Sequence, residues 1–183
     1  MKKALIIIAI IAAVLVVAFP FLKKYTKSHS PLAEARFQKD GLSVKVDYCQ
    51  PAAKSRLIFG EKRAGALQPF GQYWRVGANE ATTFETNADL VINGKDLKAG
   101  KYSLYAIPGQ AIWTIAFNSN WDRWGATAPD TKTDVLRTEV PANNAAEKKE
   151  KLEIVFGNPN EAGPANFNIQ WDKTAVRIPF QRK

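Results

Sequence analysis

Tyr73-Trp74-Arg75-Val76-Gly77-Ala78-Asn79-Glu80 gathers indole, guanidinium, amide and carboxylate groups around one glycine. A glycine interrupting a strand marks a bulge or a close backbone approach, which would aim Trp74, Arg75, Asn79 and Glu80 at a common point. An aromatic face beside such polar groups can hold a sugar or a peptide. The same residues also admit a structural reading. In it, Arg75 pairs with Glu80, Asn79 satisfies backbone groups at the bulge, and Trp74 packs in the core. Asn118, Trp121 and Trp124 form a second set, expected on a loop. Loop tryptophans serve either as stacking platforms for a ligand or as lids over a core edge.

Other chemistries lack their residues. His29 is the only histidine and stands near the apolar leader, so a Ser-His-Asp triad has no base. Cys49 is the only cysteine, which excludes an internal disulfide and leaves it as a small core residue. One histidine and one cysteine do not make a zinc, copper or haem site, and no metal or other cofactor is expected. No P-loop, dinucleotide glycine fingerprint, His-Glu-x-x-His or Ser-x-x-Lys occurs. Asp122, Asp130 and Asp134 lack calcium-loop spacing. Glu80 and Glu85 are the nearest carboxylate pair, but their odd separation sends them to opposite faces of a regular strand. A carboxylate-dependent hydrolase centred on Glu80 therefore stands as the alternative to a noncatalytic binding domain. An assembly domain for another membrane protein is the third reading.

These residues have to be positioned by strands. Leu42, Val44, Val46 and Tyr48 alternate with Ser43, Lys45 and Asp47, the period of a half-buried strand. Asn93-Gly94 between Leu90–Ile92 and Lys95–Leu97 predicts a two-residue hairpin turn. Lys101–Ile107 and Ile112–Asn118 flank Pro108-Gly109, a second hairpin. Asp134–Val140, Leu152–Phe156, Asn166–Trp171 and Ala175–Phe180 read as further strands. Asn144–Lys151 reads as a solvated turn or short helix. The pattern predicts an all-β, antiparallel sandwich or barrel-like domain of about nine or ten short strands over residues 32–183.

Ahead of it, Ala4 to Leu22 is a run of 19 residues without a charge, between Lys2-Lys3 and Lys23-Lys24. As a helix it would extend roughly 28 Å, close to the thickness of a bilayer's hydrocarbon core. Residues 1–22 are expected to form a transmembrane signal-anchor, with a cleaved signal peptide as the alternative. Residues 23–31 form a polar linker. The expected partner is thus the lipid bilayer, with the β-domain on the extracytoplasmic, periplasmic side. Formal charge is +9, but five lysines belong to the leader and its flank, leaving 21 basic against 17 acidic residues. No basic block follows a phosphate backbone, so nucleic acid is not an expected partner.

From about Ser30 to Phe180 the chain resembles a bacterial family catalogued as Domain of Unknown Function 2911. The resemblance is carried most specifically by Tyr73-Trp74-Arg75-Val76-Gly77-Ala78-Asn79-Glu80-Ala81-Thr82. Ile58-Phe59-Gly60, Pro69-Phe70-Gly71, Ala99-Gly100-Lys101-Tyr102-Ser103-Leu104 and Asp134-Val135-Leu136-Arg137 support it in the same order. Cys49-Gln50-Pro51 stands where the family pattern has Ser-Arg-Pro. The resemblance implies an exported or envelope-associated β-rich module without an established activity. Carbohydrate or peptide is the ligand class expected of the aromatic–polar patch.

Overall fold

The computed structural model describes residues 7, 14, 18, 25–157 and 163–183. The expected membrane segment, residues 1–22, falls outside the described residues except for Ile7, Val14 and Ala18, whose backbone is helical. Among the described residues no helix is long and apolar enough to cross a membrane.

The described fold is all-β. Its strands are β1 (Leu32–Lys39), β2 (Leu42–Cys49), β3 (Phe59–Gly60), β4 (Gln68–Pro69), β5 (Thr82–Thr86), β6 (Leu90–Ile92), β7 (Lys95–Leu97), β8 (Gly100–Ile107), β9 (Ile112–Asn118), β10 (Asp134–Phe156) and β11 (Ala165–Arg182). Nine of them form one sheet in the order β1-β2-β5-β8-β9-β10-β11-β6-β7, with β3 and β4 as a separate parallel pair. Every pairing in the large sheet is antiparallel. β1 and β7 stand at its two ends, so the barrel-like alternative is corrected: the sheet is not closed.

Local chemistry accounts for the hairpins. Asn93 and Gly94 adopt φ of 45° and 80°, the left-handed pair that a type I′ turn requires, and Ile92 faces Lys95 across it. Asp40 and Gly41 do the same between β1 and β2, at 49° and 76°. In β2, Leu42, Val44, Val46 and Tyr48 are buried while Ser43, Lys45 and Asp47 are half-buried, as the alternation requires.

Two expectations need correction. The four short strands expected after residue 134 are two long ones, and the helix-like stretch Asn144–Lys151 lies within β10. That stretch is mostly exposed, so its strand needs no apolar alternation. β11 holds it, with register shifts between Asn144 and Lys149 and between Lys149 and Glu153. Charged neighbours such as Lys148–Asp172 and Lys149–Glu153 line its surface.

β10 also bends the sheet. Asp134–Pro141 pairs with β9, whereas Ala142–Phe156 pairs with β11. The sheet folds over and buries its inner faces against each other. Phe84 of β5 meets Phe167 of β11 at 5.6 Å, and Phe37 of β1 meets Phe180 of β11 at 5.2 Å. At one end of this core Trp74, Trp113 and Trp171 pack together around Phe59. Burial of side chains this large is the main force holding the layers together.

Candidate functional site

The Tyr73–Glu80 segment enters the fold beside β8. Trp74 exchanges both backbone hydrogen bonds with Ala106, each 2.8 Å. Strand alternation then sends Trp74 inward and leaves Tyr73 and Arg75 on the other side. Trp74 is 2 % exposed, stacked on Trp171 at 5.9 Å and edge-on to Trp113 at 5.7 Å. Its ring belongs to the core and presents no face to a ligand, so the expectation of a Trp74 platform is corrected by its packing.

Beyond Arg75 the chain turns sharply. Val76 and Asn79 hold φ of 52° and 60°, a region that a β-branched residue such as valine rarely enters. Gly77 lies outside the named strands. It packs so closely on the end of β2 that an added Cβ would lie 3.0 Å from both the Cys49 carbonyl oxygen and Thr82 Oγ1. The glycine thus marks a close backbone approach rather than a bulge.

The expected Arg75–Glu80 pair does not form. Arg75 Nη1 donates instead to the Asn79 carbonyl at 3.0 Å, which also accepts the Gly125 N–H at 3.1 Å. Glu80 binds Lys27 Nζ at 2.7 Å and accepts a long bond from the Cys49 thiol at 3.6 Å. Burial alone would raise the Glu80 pKa. The Lys27 hydrogen bond and the residue's own backbone N–H outweigh it and hold the carboxyl below its ordinary range. Burial pushes the Cys49 thiol up; the Asn79 side chain opposes this and the Glu80 charge adds to it, so the net shift favours the protonated thiol, a poor nucleophile. Asn79 is buried, and its amide nitrogen finds no oxygen acceptor among the described residues; the Cys49 sulfur is the group its side chain acts on.

The chain between β9 and β10 closes over this face. Asn118 is fully buried and anchors it: Nδ2 donates to the Asp130 carbonyl at 2.9 Å and to Asp134 Oδ1 at 2.8 Å. Its Oδ1 accepts from the Asn120 N–H at 2.9 Å and from Thr133 Oγ1 at 3.1 Å. Asn118 is therefore saturated by its own loop, and the ligand role expected of it is corrected to an anchoring one. Asp134 also accepts from Tyr105 at 2.6 Å and from Arg137 at 2.8 Å. Burial and the Asp134 carboxylate push Tyr105 well above the ordinary tyrosine range. Asp122, Asp130 and Asp134 do not converge, and no group of three metal-ligating side chains occurs among the described residues.

Arg123 ties the loop to the first segment. Its guanidinium donates to the Trp124 and Thr127 carbonyls and, at 2.7 Å, to the Tyr73 hydroxyl, which in turn donates to the Gly125 carbonyl. Trp124 bridges Glu80 backbone to backbone and is 46 % exposed. Trp121 is 39 % exposed, with Lys101 Nζ over its ring at 4.4 Å. The structure thus brings Arg75, Asn79, Glu80 and Trp124 together, places Trp121 beside β8, and leaves Trp74 and Asn118 inside. Sequence reasoning passed over Tyr73, Arg123 and Lys27. Arg123 stands between the two exposed tryptophans, a spacing that could have drawn attention to it. An apolar groove of about 360 Å³ floored by Phe37, Leu42 and Phe180 shares no residue with this patch.

A family model described as "Protein of unknown function (DUF2911)" matches residues 30–180. The chain belongs to that family. The matched region runs from just ahead of β1 into β11, so the DUF2911 domain and the folded sheet coincide. Both loops of the candidate site lie within the DUF2911 match. No curated protein and no solved structure matches the chain.

Proposed function

We propose that this DUF2911 domain is a noncatalytic binding module of the cell envelope that takes a carbohydrate or peptide on the patch of Arg75, Asn79, Glu80 and Trp124. Residues 1–22 hold it to the bilayer, and the folded sheet works as a two-layered sandwich on the periplasmic side. The observation that carries this reading is the exposed Trp124, set beside charged side chains by the Glu80–Trp124 bridge and the Arg75–Asn79 bond. A ligand-binding surface needs such pre-positioned groups more than it needs area.

The Lys27–Glu80 contact supports a membrane-proximal location. Lys27 is five residues beyond Leu22, a reach of at most about 18 Å. The patch then faces the region just above the headgroups. A hydrolase with Glu80 as general acid would need that carboxyl protonated, and its depressed pKa argues for binding instead.

The test uses the full chain in lipid nanodiscs, screened calorimetrically against envelope oligosaccharides and peptides. Trp124→Ala and Arg75→Ala should each remove binding while thermal stability stays nearly unchanged. Binding and stability falling together would mark the patch as structural. For the address, a carboxy-terminal alkaline phosphatase fusion should be active; an inactive one, with a working cytoplasmic reporter, overturns the orientation.

A further inference from the structure

We infer that the ligand carries an oxyanion, the carboxylate of an acidic sugar residue, which seats on Arg75 with its ring against Trp124. This rests on the binding role proposed above and specifies the class of ligand. The patch has more donors than acceptors. Arg75 makes one hydrogen bond among the described residues, and that to a neutral carbonyl. Neither Arg75 nor Arg123 has a carboxylate within salt-bridge distance among the described residues. Arg123 Nε is buried and has no acceptor among the described residues, and the buried Asn79 amide nitrogen has nothing stronger than the Cys49 sulfur to donate to.

Nearby acceptors are already in use. The Asn79 carbonyl takes two donors, the Tyr73 and Gly125 oxygens take one each, and Glu80 is engaged by Lys27 and Cys49. Burial disfavours the Arg75 charge; Tyr73 offsets part of this, and the neighbouring Arg123 adds a smaller push against the charge. A half-buried guanidinium with spare donors and a second cation beside it lacks a negative acceptor. An oxyanion meets both needs, because a planar guanidinium matches a carboxylate fork. The turn through Val76 and Asn79 brings the Asn79 carbonyl back to Arg75 Nη1 at 3.0 Å, and that bond fixes the guanidinium.

The carrier is a sugar rather than a peptide strand. A peptide adding to the sheet would need free backbone groups, and those of Trp74 are taken by Ala106. What the patch offers outward is an indole that is 46 % exposed, a surface suited to stacking a sugar ring.

The experiment titrates trigalacturonate, its neutral methyl ester, inorganic phosphate and an acetylated peptide with a free carboxylate into the full chain in phosphatidylcholine nanodiscs. Trigalacturonate should bind about tenfold more tightly than its ester, since charge-assisted bonds exceed neutral ones by that order. Raising salt from about 50 to about 500 mM should erode the difference. Arg75→Gln should abolish the preference, and Arg75→Lys should restore part of it by returning charge without the fork. Equal binding of acid and ester overturns the acidic class while leaving the binding role intact. Preference for phosphate or for the peptide overturns the sugar assignment. Binding of no probe overturns both readings. If Arg75→Gln fails to fold, the ester comparison and the lysine variant decide.

Discussion

Asn118→Ala separates anchoring from ligand contact. The side chain makes four hydrogen bonds inside a fully buried site: three with neutral groups and one with the Asp134 carboxylate. Neutral bonds are worth about 1 kcal/mol each, and one to a charged group about 1.5–3 kcal/mol. Thr133 is exposed and can turn to water, so its share is lost only in part. The expected cost is therefore roughly 3 to 5 kcal/mol. For a chain of this size that corresponds to a fall in Tm of about 6 to 20 °C. Urea and thermal unfolding measure it, and limited proteolysis between residues 119 and 133 should accelerate in parallel. Asn118→Asp should be at least as harmful, because it sets a second carboxylate 2.8 Å from Asp134 Oδ1. A Tm within about 2 °C of the parent, with an intact loop and lost ligand binding, would refute the anchoring argument and return Asn118 to the ligand site.

Glu80 should titrate below the ordinary glutamate value of 4.5. Its contribution to stability is then present above that value and fades as pH falls through the lower folded pKa. The side chain is 36 % exposed, so screening keeps the effect small; NMR titration should show Lys27→Ala moving it back upward, and no movement would discount the contact. Gly125→Ala should cost about 1–3 kcal/mol by overpacking, because its Cβ would lie 2.7 Å from Arg75 Cδ and 3.0 Å from Ala81 N and the Glu80 carbonyl carbon. Thermal unfolding checks it, and an unchanged Tm would mean the two segments are not in contact. Acrylamide should quench Trp121 and Trp124 but not Trp74, Trp113 or Trp171, which are 2 % exposed or less. Quenching that survives the Trp121→Ala/Trp124→Ala double variant would contradict the core placement of the trio.

Sequence alone determined what local chemistry controls. The β class follows from alternation in segments such as Leu42–Tyr48, and the β6–β7 hairpin from Asn93-Gly94, because a two-residue turn needs left-handed φ at both positions. The Asp40-Gly41 turn and the β1 strand before it were passed over, because Leu32–Lys39 has no strong apolar alternation of its own and is held by pairing with β2. Tertiary structure decided the rest. Glu147–Lys151 carries a helix-like charge pattern but lies extended because β11 and the residues around Ala52 supply its partners. Composition could not say whether Trp74 or Trp124 faced outward; the backbone pairing of Trp74 with Ala106 turned one ring into the core. Nor could spacing choose Lys27 over Arg75 as the partner of Glu80, since that choice depends on where distant segments meet. Arg75 was thereby left without a carboxylate among the described residues, a condition created by packing, and it is the physical basis for the anion proposed for the site.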